Sequence, residues 1–162
     1  GPQKSMIVED AMRLLASTGG IPVAAAGNDR RSSLDFPGSS ALAITVAAID
    51  QESQVPLWSS WDQWPKGPDI AAPGVKVAVL KPNGDYGAMN GTSFAAAMGA
   101  GCLALLYSVD KNLRSLRGQD ANDSSIVTEL RRRLRATAYP LKADKARVGF
   151  GLIDVGALVE GA

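Results

Sequence analysis

The sequence predicts an α/β fold in which a mainly parallel sheet lies between layers of helices, a three-layer αβα arrangement. Short apolar runs bounded by glycine alternate along the chain with longer helical patterns, which is typical of such folds. Apolar residues make up 46% of the 162 residues and charged residues 20%, a composition that excludes a disordered or fibrous chain. The length suits one domain, and no internal repeat divides it.

The first third of the chain predicts a helix followed by two buried strands. Residues 5–18 have apolar side chains near helical spacing, and Gly19-Gly20 ends the helix. Ile21 to Ala26 is a short apolar run that predicts a strand buried on both faces, and Ala41 to Ile49 predicts a second buried strand rich in β-branched residues. The apolar positions of the helix are Met6, Ile7, Ala11, Leu14, Leu15 and Thr18.

The middle of the chain predicts loops, one strand and a long helix. Prolines interrupt the segment from Asp50 to Pro73, which predicts mostly loop with a short strand near Val55–Ser59. Val75 to Leu80 predicts a strand, and residues 86–90 a short irregular segment. Gly91 to Tyr107 is almost entirely apolar and predicts a helix buried nearly all round.

The C-terminal part predicts a polar link over residues 111–123 and then two helices. The first runs from Ser124 to Ala138, with Asp123 or Ser124 as its cap. A glycine-broken apolar segment from Val148 to Ile153 leads into the last helix, which begins at Asp154. The core stripe of the first helix is Ile126, Val127, Leu130 and Leu134, and its arginines, expected on the solvated faces, are Arg131, Arg132, Arg133 and Arg135.

Composition limits the function classes. A net charge of +1 offers no strong field for nucleic acid or acidic membranes, and we expect neither as a partner. We expect no membrane span, because no apolar run approaches the roughly 18 residues that a span needs. The single cysteine, Cys102, excludes an internal disulfide and is expected to be a buried, inert thiol. The chain contains no histidine, so it lacks the commonest general base and metal ligand.

Two segments carry candidate chemistry. The first, Val23 to Asn28, is a buried strand that ends in a glycine and an amide side chain. The second, Asn90 to Gly101, places the hydroxyl of Ser93 where a turn enters the long apolar helix. Unpaired N–H groups at a helix N-terminus can stabilise an oxyanion formed at such a serine. An amide at the carboxyl edge of a parallel sheet is where open α/β folds contact ligands.

Four sequence motifs in this chain resemble those of the subtilisin-like serine proteases, the subtilases. They are AAAGN (24–28), APG (72–74), GTSFA (91–95) and GFGLIDVGAL (149–158). Their order and approximate spacing match the family over essentially the whole chain, and the combination is far more specific than any one motif. The resemblance implies that residues 1–162 are the C-terminal portion of a subtilisin-like peptidase domain.

The resemblance also implies roles for individual residues. Ser93 is expected to be the nucleophile, and the Asn28 side chain and the Ser93 N–H are expected to form the oxyanion hole. The predicted substrate-binding residues are Ala25, Ala26 and Gly27, as one wall of a side-chain pocket, together with Thr92. Where the family usually has serine-proline-histidine after the nucleophile, this chain has Ala96-Ala97-Met98, a change that bears on packing.

The family places the aspartate and histidine of its triad in the N-terminal half of the domain, and nothing here matches either motif. We therefore expect a serine endopeptidase fragment whose general base lies on a missing N-terminal segment or a partner chain, and which is inactive alone. Peptides or proteins are the expected substrates. A cut parallel sheet also predicts association with the missing half or self-association. No cofactor is evident, although the resemblance makes calcium possible, and it favours a secreted or extracytoplasmic location.

Other interpretations stay open at this point. The chain could be a catalytically inactive subtilase-fold module for binding or assembly, or a hydrolase in which Lys76, Lys81 or Lys111 is the base. Ser93 could be a helix cap and Asn28 a turn residue. The tryptophans at spacing three could form a binding platform but more often cover a loop over the core; they are Trp58, Trp61 and Trp64.

Overall fold

The structure is a computed structural model that describes residues 3–116 and 125–161. Its helices are α1 (Met6–Ser17), α2 (Thr92–Val109), α3 (Lys111–Ser115), α4 (Ser125–Thr137), α5 (Lys145–Val148) and α6 (Val155–Glu160). Its strands are β1 (Val23–Ala25), β2 (Ile44–Ile49), β3 (Ile70–Pro73), β4 (Val77–Leu80) and β5 (Tyr86–Met89). The predicted caps of α4, Asp123 and Ser124, lie outside the described residues.

The central sheet contains β1, β2 and β3 in that order, all parallel. The central strand β2 is buried along its whole length, with Ile44 opposite Val23 of β1 and Val46 opposite Ile70 of β3. A separate antiparallel hairpin of β4 and β5 follows and leads directly into α2. Parallel strands need long crossover connections, and here residues 26–43 and 50–69 form them as loops without a helix.

Helices cover both faces of the parallel sheet, which confirms the three-layer αβα prediction. Successive residues of a strand point to opposite faces. On one face, Ile44 and Val46 of β2 pack in a single core with Leu103 and Leu106 of α2 and with α4 and α6. On the other face, β2 packs through Ala47 and Ile49 against Val148 of α5. The side chains that pack α1 against β1 and its neighbouring loop are Met12, Ala24, Phe36, Leu42 and Ala43.

Three strand predictions were wrong. The segment predicted as mostly loop contains β3, whereas no strand forms at Val55–Ser59, and the segment predicted as irregular forms β5. The sequences IAAP and YGAM have few β-branched residues, so their intrinsic strand propensity is weak. Pairing decides both: β3 is held by the buried β2, and β5 by the adjacent β4.

Two helices expose apolar surfaces that the sequence placed in the core. In α1, Met6 is 77% exposed and Ile7 is 82% exposed, while Glu9 and Met12 face the interior. In α2, predicted to be buried nearly all round, Leu105 is 56% exposed. The strand β1 was predicted to be buried on both faces, but it is an edge strand and two of its three residues are only half-buried. Next to β1, an open cavity is lined by residues of the segment after α1, of β1 and of α2.

The helix α2 is also longer than predicted. Its 18 residues have a mean hydropathy of 1.5, so by length and composition alone it could cross a membrane. The expectation that no apolar run approaches that length was therefore wrong. The same test is passed by core helices, and α2 packs against all three strands of the parallel sheet.

The arginines of α4 only partly follow the prediction of a solvated face. Arg131 is half-buried: its Nε donates to the Asp69 carboxylate at 2.7 Å, and its guanidinium also donates to the Ala43 carbonyl at 2.8 Å. Arg133 is half-buried in an ion pair with Asp110, a carboxylate that caps α3. These two arginines tie α4 to the start of β3 and to the end of α2, while the other two are exposed as expected.

Glu129 of α4 accepts hydrogen bonds from two of these arginines. The Nε of Arg132 donates at 2.7 Å and that of Arg133 at 2.8 Å. Both guanidiniums favour the ionised form, and they lower the pKa of the Glu129 carboxyl from 4.5 to about 2. A carboxyl whose pKa is lower in the folded state stabilises the fold above the pKa of the unfolded chain.

The first testable prediction concerns this carboxylate. We expect Glu129→Gln to lower the free energy of unfolding at pH 7 by about 1 kcal/mol, because solvent screens the exposed part of the network. The difference between wild type and variant should shrink as the pH falls from 4.5 to about 2, where the wild-type carboxyl becomes protonated in both states. Urea unfolding across this range measures it, with the exposed Glu160→Gln as the matched control. A difference that does not depend on pH would contradict the prediction.

A close backbone approach joins the end of β3 to the turn before α2. The Gly91 N–H donates to the Gly74 carbonyl at 2.9 Å. A Cβ placed on Gly74 would lie 2.6 Å from the Ala48 Cβ and 2.9 Å from the Gly91 carbonyl oxygen. The glycine of the APG motif is therefore required by space at this junction.

The second prediction tests this packing. We expect Gly74→Ala to lower the free energy of unfolding by about 1–3 kcal/mol, because the added methyl overpacks a buried site. Urea unfolding measures the loss. In the matched control, Gly101→Ala in α2, the new methyl meets nothing within 4 Å, so no loss is expected. Equal stability of the Gly74→Ala variant and the wild type would show that the backbone moves apart at no cost.

Candidate active site

The candidate site lies where β1 ends and α2 begins. Asn28 follows β1 after Gly27, and Ser93 is in the first turn of α2. Packing of α2 across the three parallel strands brings these two segments together from positions more than sixty residues apart. The structure therefore brings Asn28 and the start of α2, which the resemblance assigns to one site, to the same junction of sheet and helix.

Thr92 connects the two segments. Its N–H and its hydroxyl both donate to the Oδ1 atom of Asn28, each at 2.8 Å, and its hydroxyl accepts from the Gly27 N–H at 3.2 Å. An atom that receives two donated hydrogen bonds must be the amide oxygen, so these contacts fix the orientation of the Asn28 amide. The NH₂ group of Asn28 is thereby left as a donor, and the side chain is exposed.

Ser93 combines exposure with unused hydrogen-bonding groups. Within the described residues, neither its hydroxyl nor its backbone N–H has a hydrogen-bond partner. Gly91 precedes the helix and offers no side-chain cap; the Thr92 N–H donates to Asn28 and the Phe94 N–H to the Gly91 carbonyl, so the Ser93 N–H between them stays available. The positive end of an 18-residue helix therefore faces the Ser93 hydroxyl together with a free N–H donor.

The loop after β1 is held in place by a residue that the sequence did not single out. The Ser60 N–H donates to the Gly27 carbonyl at 2.9 Å, and the Ser60 hydroxyl accepts from the N–H groups of Asp29 and Arg31, each at 3.4 Å. Ser60 is buried in a proline-punctuated segment, and its partners are about thirty residues away, so no local pattern identifies it. Gly27 itself has φ +111°, and a Cβ there would lie 2.9 Å from Asp35 Oδ2.

The predicted substrate-binding residues differ in how exposed they are. Ala25 is half-buried and stands at the exposed edge of the sheet, which suits a wall residue. Ala26 and Thr92 are both fully buried, with no exposed surface, so neither can touch a substrate with its side chain. The assignment of these two residues to a substrate-binding wall stays a prediction, since a residue with a buried side chain can still contribute backbone to such a wall. Gly27 is also buried and contributes only backbone.

Other candidate groups are less suited to catalysis. Lys76, Lys81 and Lys111 are exposed, so none is in the desolvated position that a lysine base needs. Cys102 is half-buried, and desolvation by burial raises the pKa of its thiol, which disfavours the reactive thiolate. In residues 3–116 and 125–161, no three His, Cys, Asp or Glu side chains form a group that could hold a metal ion. Calcium binding stays a prediction from the family resemblance, and we derive no step through a metal.

The three tryptophans have different surroundings. Trp58 is half-buried and packs against the main core, as expected for a residue that covers a loop. Trp64 is 41% exposed and packs edge to face on Phe150, with 5.4 Å between ring centroids. Trp61 is half-buried and lines a surface cavity. They do not form a single binding platform.

Comparison with known proteins agrees with this geometry. Residues 4–151 match the model of the subtilase family. The chain is 33% identical over 156 residues to Subtilisin BL and to Subtilisin Savinase, both from Lederbergia lenta. The aligned region covers 96% of this chain and 52% of each of those proteins. The chain thus spans about half the length of these curated relatives.

Solved structures give the same result. The structure of the prenylagaramide maturation protease PagA superposes with a TM-score of 0.78 at 27% identity, over 99% of this chain and 56% of that one. The patellamide maturation protease PatA superposes with a TM-score of 0.75 at 26% identity, over 97% of this chain and 56% of that one. The chain belongs to the subtilase family of serine proteases.

Proposed function

We propose that this chain supplies the nucleophile and the oxyanion hole of a serine endopeptidase, and that a second segment or chain supplies the general base. The observation that carries the proposal is the pair of hydrogen bonds from Thr92 to Asn28 Oδ1. They turn the NH₂ group of Asn28 outward as a fixed donor. A preorganised donor of this kind stabilises charge that develops in the transition state without reorganising during the reaction.

The chemistry assigns one role to each free group. The Ser93 Oγ attacks the carbonyl carbon of a peptide bond, and its proton passes to the general base. The carbonyl oxygen becomes an oxyanion, which accepts hydrogen bonds from the Asn28 NH₂ and the Ser93 N–H. The base then protonates the leaving amine, and water hydrolyses the acyl-enzyme by the same steps. Because this chain contains no histidine, the proton-transfer steps need a group from outside it.

The exposed apolar surfaces along β1 support the presence of a second segment. We call this surface the β1-edge face. A cavity of about 290 Å³ lies within it, between the entry to β1 and α2. The cavity is lined by Gly19, Gly20, Ile21, Val23, Ala100, Leu103, Ala104 and Tyr107. Because β1 is an edge strand with β2 on one side only, its outer backbone groups are free to pair with another strand.

We propose that the occupant of the β1-edge face is the segment that corresponds to the other half of the relatives, of which this chain covers 52–56%. A missing half of a domain would bury this surface as core and would extend the sheet beyond β1. The expected substrates are peptides or proteins, as the relatives are proteases. One relative is named a cell wall-associated protease, which supports the extracytoplasmic location that the sequence favours.

The third prediction concerns Ser93 reactivity. We expect the chain alone to react with a fluorophosphonate probe hardly faster than its Ser93→Ala variant, because no base activates the hydroxyl. Joined to the segment that carries the base, it should label rapidly at Ser93. In that complete enzyme, Asn28→Ala should lower kcat by about 100- to 1000-fold, since one oxyanion donor is lost.

The matched control for this experiment is Asn83→Ala, which removes an exposed amide from the turn between β4 and β5. This control should keep full activity. Rapid labelling of the chain alone would refute the need for an outside base. No labelling in the complete enzyme would instead favour the interpretation as a binding or assembly module.

The fourth prediction concerns the β1-edge face. We expect Ala104→Arg to weaken association with the second segment by at least about tenfold, because a charge would be buried in an apolar interface. Ala104 is exposed in the chain alone, so the variant should fold normally. Analytical ultracentrifugation of the mixed segments measures the association, with Ala88→Arg on the hairpin as the matched control. Equal association of Ala104→Arg and wild type would place the second segment elsewhere.

A further inference from the structure

A second cavity, of about 240 Å³, has no part in the chemistry proposed for Ser93 and Asn28. It is lined by Arg30, Leu57, Trp61, Asp144 and Arg147. These residues come from three separate parts of the chain: the loop after β1, the segment between β2 and β3, and α5 with its cap. Two guanidinium groups, one carboxylate and two apolar side chains therefore surround one space.

The cavity is adjacent to the loop after β1 that carries Asn28. Arg30 is two residues beyond Asn28, so their Cα atoms are at most about 7 Å apart. Two backbone hydrogen bonds of 2.9 Å, from the Arg30 N–H to the Trp58 carbonyl and from the Trp61 N–H to the Arg31 carbonyl, fasten this loop to the neighbouring segment. A polypeptide bound at Ser93 would therefore have this cavity within the reach of nearby side chains.

The two guanidinium groups of the cavity have hydrogen-bonding or ion-pairing capacity that the described residues do not fill. The buried Nε of Arg147 has no hydrogen-bond partner, although another nitrogen of that guanidinium donates to the Pro56 carbonyl at 3.2 Å. A buried donor without an acceptor costs stability, and the oxygen of a bound ligand near this nitrogen would reduce that cost. Among the described residues, the exposed Arg30 guanidinium has no ion pair, in contrast to Arg31, which lies within 4 Å of Asp29 and Asp35.

The one carboxylate of the cavity is already engaged, because Asp144 caps α5 by accepting from the Ala146 N–H at 2.9 Å. The cavity thus has a net positive charge. The backbone of Arg30 is also in the left-handed region, at φ 54°, a strained conformation for a residue with a side chain. The hydrogen bond to Trp58 holds Arg30 there, at the rim of the cavity.

We propose that this cavity binds the carboxylate of an acidic side chain of a polypeptide substrate. The guanidiniums of Arg30 and Arg147 would hold a carboxylate between them. Each guanidinium is a planar fork of N–H donors, and the two carboxylate oxygens would accept hydrogen bonds from them. Leu57, which is 64% exposed, and Trp61 offer apolar surface for the methylene groups of a glutamate. The identification of the ligand as a substrate depends on the proposed function; the carboxylate site itself does not.

Direct binding to the whole 162-residue chain tests the proposal without any need for catalysis. The probes are fluorescein-labelled alanine–glycine peptides with one glutamate, and matched peptides with one glutamine. Fluorescence anisotropy should show at least about tenfold tighter binding of the glutamate peptides. Arg30→Gln should abolish this preference. Arg30 is exposed, so the variant should keep the wild-type circular dichroism spectrum.

The matched control is Arg135→Gln, which removes an exposed arginine of α4 and should leave the preference unchanged. Arg147→Lys keeps the charge but loses the planar fork, and should also weaken binding of the glutamate peptides. Inorganic phosphate is a competitor in a separate arm. Displacement by phosphate without any preference for glutamate over glutamine would show a site for free anions and overturn the substrate proposal.

Equal affinity for both peptides, or an unchanged preference in Arg30→Gln, would also overturn it. The Ser93→Ala chain should bind like the wild type, which separates this proposal from the proposed function. If the glutamate preference holds while the labelling experiment fails, the carboxylate site stands and the nucleophile assignment falls. If Ser93 is labelled in the complete enzyme but the glutamate preference is absent, the nucleophile assignment stands and the carboxylate site falls.

Discussion

The hydrogen bonds between Thr92 and the loop after β1 are the contact on which the rest of the site depends. They link residues 64 positions apart in the chain, at the junction of the sheet with α2. The same bonds orient the Asn28 amide and fix the start of the helix that presents Ser93. One fully buried threonine therefore sets the geometry of both the amide donor and the hydroxyl.

Close backbone packing makes this contact possible. Gly27 adopts a positive φ and leaves no room for a Cβ, and Gly74 approaches both Ala48 and Gly91 too closely for a side chain. These glycines let the ends of β1 and β3 meet the turn before α2. Ser60 adds a second set of hydrogen bonds that keeps the loop from Gly27 to Arg31 in one conformation. The loop is thus held from both sides, which is the preorganisation that an oxyanion donor requires.

The same chain that completes this donor arrangement leaves a large apolar surface open. The exposed apolar residues of α1 and α2 and the free edge of β1 are the features on which the proposed second segment rests. The groups that bind an electrophile and the groups that move protons would then be folded from different segments. In the proposed function, such a division makes activity depend on association, whereas β2 and the apolar stripe of α4 are already buried within the described residues.

The sequence by itself determined the layered α/β fold and the family, and it singled out Ser93 and Asn28 as the candidate site residues. Long apolar helices, the buried β2 and the four motifs are local patterns that one chain displays without reference to distant contacts. The short strands β3 and β5, the exposed stripe of α1 and the ion pairs of Arg131 and Arg133 were decided only by tertiary structure. Weak strand propensity is overridden by pairing, and periodicity gives the faces of a helix but not which of them a neighbour covers. The buried position of Thr92 and the hydrogen bonds of Ser60 to the loop after β1 also depend on contacts between segments remote in sequence, so no local pattern could predict them.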